Sequence, residues 1–446
     1  MAMDSSFFPC RSDENIRRAH RADGVGSFPA AGPTRRAPMG EARLPDFVFP
    51  NRTGAPEDRD IFAGRTEEMR RIEDWYRNRP ESPCMAISGF YGTGKTLLCE
   101  RFSRKHRDRI LSVFVHASRF HGSMEVSDPI RDILRRIREE IVGLGIPGLP
   151  GDEASRPEIG NAASGRESPR EALRGLMRHA ARRGKGVLLI FDDADILEED
   201  PSAPLLGRFL ERIGALAESL RFPGESIPPP KFLVSGQYRL YRHLARKRRD
   251  GPWLHLPLSR RIEREACVDW ANRRLEFHRK RFPGVSPSPD FGERAVRLAG
   301  RAPRDLRAFL DMFFRESRFP EPGGLSGRTD FGREAMADAY YRILADPALS
   351  VEIFDPLETH YLRGEENGPI ARIVEALARS PGKGLPESTL SANSADRTDV
   401  RRRIFELTDF GFADRRRDRG RWWLRLPRSL TTDFFRVHFH QPFLER

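Results

Sequence analysis

Gly89-Phe90-Tyr91-Gly92-Thr93-Gly94-Lys95-Thr96 decides how the rest of the chain is read. Its pattern, G-x-x-x-x-G-K-[ST], is that of a phosphate-binding loop. Glycines let the backbone curl so that several N–H groups point at one phosphate chain. Lys95 adds a point charge that reaches the β- and γ-phosphates, and the Thr96 hydroxyl can ligate Mg²⁺. The helix that follows, from Thr96 through Leu97 to Phe102, turns its positive N-terminus towards the anion. Met85-Ala86-Ile87-Ser88 ahead of the loop is a short apolar run that reads as a buried strand. Strand and helix together are the context that separates this motif from a chance match in a glycine-bearing loop.

A carboxylate cluster fits the same chemistry. Asp192-Asp193-Ala194-Asp195 follows the apolar run Val187–Phe191, a second buried strand. A carboxylate at a strand end beside a phosphate loop can hold Mg²⁺, and the next one can orient or deprotonate an attacking water. Asp192 is therefore the candidate metal residue with Thr96, and Asp193 the candidate base. The alternative is a solvated acidic turn, since Glu198, Glu199 and Asp200 follow. Gln237, after the strand Phe232-Leu233-Val234, either orients water near the γ-phosphate or belongs to an ordinary strand-to-loop turn.

Strand–helix alternation along the chain predicts an α/β fold: a parallel sheet with helices on both faces. Ile110–Val115 and Trp253–Leu256 are further strands. Glu67–Trp75, Ser168–Gly184 (opened by a capping box), Leu205–Leu220 and a segment from Pro129 through Ile141 are helices. Residues 1–58 are rich in Gly, Pro, Ser and Arg and read as a disordered arm, and residues 145–167 as a loop insertion. The core then spans 59–258. From Ser259 the pattern is helical, with a long helix starting there and others near 291–298, 304–315 and 334–344, giving a helical domain over 259–350. Residues 351–446 hold three short helices (370–377, 385–390, 400–411), then strands 412–414 and 422–426 around a tip at 415–420. Three helices followed by a hairpin is a winged helix-turn-helix. Of the adjacent Trp422 and Trp423, one is expected inside the core and one outside.

Composition narrows the classes. The chain has 446 residues, enough for two or three domains, 38% of them hydrophobic, and a mean hydropathy of -0.60. No apolar run approaches the roughly 20 residues needed to span a bilayer. The N-terminus lacks an apolar core, and Asp4, Asp13 and Glu14 argue against a transit peptide, so a cytoplasmic location is expected. Cys10, Cys84, Cys99 and Cys267 form no C-x-x-C pair, and His438 and His440 have no accompanying ligands, so neither zinc nor redox chemistry is signalled. A net charge of +13 points to a polyanionic partner. Lysine supplies only seven of the 78 basic residues, a skew that codon usage alone can produce, so the clustering of charge matters more than its total.

The motifs resemble those of the AAA+/STAND class of P-loop ATPases. Phe62-Ala63-Gly64-Arg65 with Glu67-Glu68 is similar to the stretch that cradles adenine in these families. Phe191-Asp192-Asp193-Ala194-Asp195 resembles the Walker B of origin-recognition and replication-initiator ATPases. Leu233–Gln237 resembles a sensor 1 strand, with a Gly-Gln similar to that of secretion and transposition-helper ATPases. Leu256–Ser259 is like the entry to a helical lid. Ala299-Gly300-Arg301-Ala302-Pro303-Arg304 resembles the lid turn that carries sensor 2, which implies that role for Arg304. The resemblance implies ATP with Mg²⁺ as cofactors, a homo-oligomer or partner proteins, and an arginine reaching into a neighbour's site. Arg249, in Lys247-Arg248-Arg249, is the candidate for that arginine, against an ordinary solvated basic run. Two positions depart from the family pattern. Asp193 stands where a glutamate is usual, implying slow hydrolysis, and Arg301 replaces the second glycine of the lid turn.

Residues 397–428 hold eleven arginines against five acidic residues, on the third winged-helix helix and the hairpin. Arg401, Arg402, Arg415, Arg416, Arg417 and Arg419 are candidate phosphate contacts to double-stranded DNA. The resemblance leaves another use open, because winged helices of STAND proteins often serve as internal clamps. No tetratricopeptide, WD40 or leucine-rich array of the kind STAND sensors carry is present, which favours a DNA-associated ATPase over a signalling or defence switch.

Overall fold

The computed structural model describes residues 64–90, 92–116, 137, 169–198, 205–220, 227–246, 252–281, 289–316, 333–345, 361, 368–380, 382, 384–392 and 397–439. The sequence readings on residues 1–58, Phe62, Tyr91, Arg249, the 145–167 insertion, the Ser168 cap and most of the helix from Pro129 lie outside them. All described residues belong to one compact unit.

Five parallel strands form the core: β1 (Cys84–Gly89), β2 (Ile110–His116), β3 (Gly186–Asp192), β4 (Lys231–Gly236) and β5 (Trp253–Leu258), in the order β2-β3-β4-β1-β5. A strand covered on both faces is buried along its length and mostly apolar, and β1, β3 and β4 are buried at every position but Gly186. Period-two alternation sends successive residues to opposite faces. Val187, Leu189 and Phe191 pack with α3 (Pro169–Arg182), α4 (Leu205–Ser219) and Leu240 of α5 (Tyr238–Arg246). Leu188 and Ile190 face α1 (Thr66–Asn78) and α2 (Lys95–Lys105) through Ile72, Trp75, Leu98 and Phe102. The expected helices on both faces are thus present. Helix α5 had no counterpart in the sequence reading.

The helical region begins with α6 (Arg264–Arg281), followed by α7 (Phe291–Ala299), α8 (Pro303–Glu316) and α9 (Arg333–Ala345). Helix α6 starts five residues later than expected. Segment 259–263 is not helical because its polar groups are committed elsewhere: Arg260 N–H donates to Phe410 O (2.8 Å) and Ile262 N–H to Arg301 O (3.1 Å).

The C-terminal region contains α10 (Gly368–Ala378), β6 (Leu385–Pro386), α11 (Glu387–Ala392), α12 (Arg397–Asp409), β7 (Asp414–Asp418), β8 (Arg421–Arg425) and α13 (Leu430–Phe439). The second sheet runs β6-β8-β7, which with α10–α12 is a winged helix-turn-helix arrangement. Three details differ from expectation. Leu385 and Pro386 form a strand against Leu424 and Trp423 rather than a helix start. The hairpin closes at Arg419-Gly420, so Arg415, Arg416 and Arg417 lie within β7 and not in the tip. Both tip residues have positive φ (47° and 77°), the backbone twist of a two-residue turn that matches paired strands. Neither tryptophan is core: Trp422 is exposed, Trp423 half-buried, and Leu424 takes the inward place.

Cys84, Cys99 and Cys267 are buried free thiols. No helix among the described residues is long and apolar enough to cross a membrane.

His255 of β5 lies beside Ser88, its Nε2 2.7 Å from the serine hydroxyl. Burial, with Arg71 nearby, pushes its imidazole down to about 4. Unfolded, the ring binds a proton near pH 6.5; folded, it resists until about 4. Stability contributed by the neutral ring is therefore present above pH 6.5 and lost as pH falls towards 4. Urea unfolding at pH 7 and pH 5 is expected to differ by about 2 kcal/mol from this group. A His255→Asn variant should lose that part of the difference.

Candidate nucleotide-binding site

The phosphate loop joins β1 to α2, and its turns follow from its glycines. Gly92 and Gly94 adopt φ of 76° and 87°, which other residues rarely reach. Thr93 N–H and its hydroxyl both donate to Phe90 O, at 3.2 and 2.8 Å. Lys95 Nζ donates to Gly89 O (2.8 Å) and Phe90 O (3.1 Å). Burial pushes its ammonium below the usual lysine range, opposed by Asp195, Asp193 and Asp192.

β4 lies between β1 and β3, yet Thr96 at the start of α2 reaches across it. Its hydroxyl donates to Asp192 Oδ2 at 2.6 Å, and Ser235 at the end of β4 donates its hydroxyl to Asp192 Oδ1. Thr96 and Asp192 thus offer an oxygen-only donor pair, the kind that suits Mg²⁺. Among the described residues, no three His, Cys, Asp or Glu side chains are grouped so as to hold a metal ion by themselves. Asp193 is exposed and left-handed (φ 56°), held by its N–H on Ser235 Oγ at 3.4 Å. Its exposure contrasts with the burial of its neighbour Asp192.

Asp195 shares the cluster but not its chemistry. Buried, it accepts from the N–H groups of Gln237 and Leu240 (3.2 Å), capping the start of α5. Gln237 is anchored there by its backbone, beside the loop that follows β4. A polar residue ahead of a helix was the signal for this, but Asp195 and Gln237 are 42 residues apart in sequence.

Arg304 lies directly over the loop: a Cβ on Gly92 would stand 2.9 Å from Arg304 Cδ. Position 92 therefore has no room for a side chain while Arg304 holds this place. Gly64 and Arg65 sit on the other side. Arg65 is buried; its guanidinium donates to Thr93 O (3.0 Å) and Ser259 O and pairs with Glu68 (2.7 Å). It ties the loop to the lid entry, so its side chain acts on the loop through its backbone.

Phe90 supplies the feature that the motif could not disclose. Its ring is 1% exposed and sits among Tyr238, Tyr361, Phe410 and Phe412, with centroids 4.4–6.1 Å away. Phe410 and Phe412 belong to the segment between α12 and β7. A residue of the phosphate loop is thus built into the core of the winged helix.

Residues 61–221 match the family model described as an AAA ATPase domain. The match spans 161 of the chain's 446 residues. The matched span includes the phosphate loop, Asp192 and Asp193. Among solved structures, the chain is similar to the Aeropyrum pernix ORC2 protein in ADPNP–ADP complexes, with 14% identity, 85% of this chain and 94% of that one covered, and a TM-score of 0.44. It is similar to the Aeropyrum pernix ORC1 protein in complex with DNA at 18% identity, 90% and 96% coverage, and a TM-score of 0.35. The Thermotoga maritima RuvB Holliday junction branch migration motor gives 11%, 82% and 93%, and 0.36. No curated protein matches the chain.

Of the predicted residues, Gly89, Phe90, Gly92, Thr93, Gly94, Lys95, Thr96 and Leu97 run from the end of β1 into α2, Asp192 meets Thr96 from the end of β3 with Asp193 next in the chain, and Arg304 of α8 packs against Gly92. Of the arginines expected to meet DNA, Arg401, Arg416, Arg417 and Arg419 are exposed, and Arg402 is exposed but pairs with Asp399. Arg415 departs from expectation. It is half-buried and pairs with Glu387 at 2.8 Å, because β7 places it facing α11.

Phe90→Ala is expected to destabilise the docking of the winged helix by about 3–5 kcal/mol, the usual cost of emptying a phenylalanine site. Limited proteolysis should reveal faster cleavage between the helical region and α10, and wild-type protection would contradict the contact.

Proposed function

We propose that the protein is an ATP-binding and ATP-hydrolysing switch whose nucleotide state governs a winged helix that engages double-stranded DNA. The observation that carries this reading is Phe90, whose carbonyl accepts from Lys95 and Thr93 while its ring is clasped by the winged helix. A phosphate chain in the loop would compete for Lys95, and any shift of Phe90 is then felt in the winged-helix core.

In this reading, the loop N–H groups and Lys95 bind the β- and γ-phosphates, with Arg304 over them. Thr96 and Asp192 hold Mg²⁺, which when bound neutralises charge on the phosphate oxygens. Asp193 orients the attacking water and accepts its proton; as an aspartate, it has a shorter reach than a glutamate. Gln237 stands nearby as a water-positioning residue, and Gly64 borders the adenine side. Arg249 is proposed as the residue that reaches a neighbouring subunit in a homo-oligomer.

The DNA side rests on charge. Arg401, Arg402, Arg416, Arg417 and Arg419 are all exposed while the winged helix is docked, so DNA contact does not require undocking. A second reading, a signalling or defence NTPase whose winged helix is an internal clamp on a protein partner, is favoured by one observation. Glu406 of α12, 1% exposed, binds Arg242 of α5 in a buried ion pair at 3.0 Å, fastening the winged helix to its own ATPase core.

Lys95→Ala is expected to abolish binding of a fluorescent ATP analogue, and Asp193→Asn to retain ATP without releasing phosphate. Normal affinity in the Lys95 variant would remove the site assignment. Duplex binding measured across salt should fall steeply, with a log–log slope of about −3 to −5 if three to five of the exposed arginines each meet one phosphate. Absent or salt-insensitive binding would favour the clamp.

A further inference from the structure

We infer that the outer face of the winged helix, between α12 and the β7–β8 hairpin, holds the unpaired bases of single-stranded DNA by stacking. The inference rests on the DNA reading above and adds to it the state of the DNA.

Two aromatic rings are held open on this face. Phe405 of α12 is 45% exposed and Trp422 of β8 is 40% exposed, two of the three exposed large apolar side chains among the described residues. The Arg415 guanidinium lies over both rings, 4.7 Å from the Phe405 centroid and 4.1 Å from that of Trp422. Glu387 fixes that guanidinium through Nε (3.1 Å) and Nη2 (2.8 Å). Arg415 is thereby neutralised and works as a flat spacer that sets the two rings in place. Arg417 lies 6.0 Å over Trp422 from the same strand. Each side chain still keeps two-fifths or more of its surface open to solvent.

Exposed arginines stand on the same surface: Arg401 on α12, Arg417 paired across the hairpin with Trp422, and Arg419 at its tip, while Arg416 and Arg421 line the other face of the hairpin. They can follow a phosphate backbone whichever form of DNA is present. The rings separate the forms. In a duplex the base faces are hidden by stacking, so an exposed indole and phenyl gain little from it. Unpaired bases present their π-faces, and a basic surface with fixed aromatic rings is the chemistry that holds them. Rings already fixed by Arg415 lose little freedom on stacking.

The test uses the full chain and three fluorescent DNAs of one sequence length: a duplex, the same duplex with a central unpaired stretch, and a single strand. Anisotropy should give tighter binding of the unpaired forms than of the duplex, by about fivefold or more. Tryptophan emission should be quenched by the single strand. Trp422→Ala should bring the ratio of the affinities towards one and remove most of the quenching. Trp422→Phe, which keeps a ring, should retain much of the ratio and guards against a folding defect. Wild-type protein that binds duplex as tightly as the unpaired forms, or an alanine variant that keeps the ratio, overturns the inference and leaves the duplex reading intact. No binding to any of the three overturns both.

Discussion

The packing of one phenyl ring governs this structure. Phe90 belongs to the phosphate loop by its backbone and to the winged helix by its side chain. Its carbonyl accepts from the Thr93 hydroxyl and amide and from Lys95, so the loop is closed around it. Its ring meets three rings edge-on and a fourth in a stack, geometries worth about 0.5–1.5 kcal/mol each beyond the area they bury. A loop that binds phosphate by backbone geometry is sensitive to displacements of a fraction of an ångström. Tying it to the C-terminal region makes each a constraint on the other.

Polar contacts then fix how the regions meet. Glu406 gathers Arg242, Arg403 and the Tyr361 hydroxyl in a buried site. Burial and the Glu406 charge push the Tyr361 hydroxyl well above its ordinary range, so it stays a donor. Asp305, at the start of α8, accepts from Arg260 (2.9 Å) and from both the N–H and the hydroxyl of Thr431 at the start of α13. The Arg260 guanidinium also lies 4.3 Å over Phe412. Buried ion pairs contribute little net stability but are costly to break singly. Here they tie the orientation of the helical region and the winged helix to the segment 259–262, where Arg65 also reaches Ser259. The short run that leaves the sheet is thus the junction of all three regions.

Local signals were legible because they concern neighbours in sequence. The phosphate loop, the carboxylates after an apolar strand, the five strands and most helix positions were readable from period and turn chemistry. Arg304 came instead from the resemblance of the turn 299–304 to a known motif, and the structure sets it against Gly92. The misreadings have a common cause. Leu385-Pro386 looked like the edge of a helix because its strand partner, Leu424, lies 39 residues away. The hairpin tip was placed too broadly because a run of arginines resembles a loop until pairing with Trp422 and Trp423 makes it a strand. Asp195 looked like part of the acidic cluster until α5 used it as a cap.

By itself, the sequence determined the strands, the phosphate loop and the carboxylates placed after an apolar strand, since glycine placement, apolar runs and motif spacing are set within a few residues. Only the tertiary structure decided what the variable positions do. Phe90 stands at a motif position that accepts any residue, and its partners lie more than 140 residues away. Arg415, counted as a free charge, is neutralised by a glutamate on another helix. Burial and pairing across such separations are properties of packing, and no local pattern carries them.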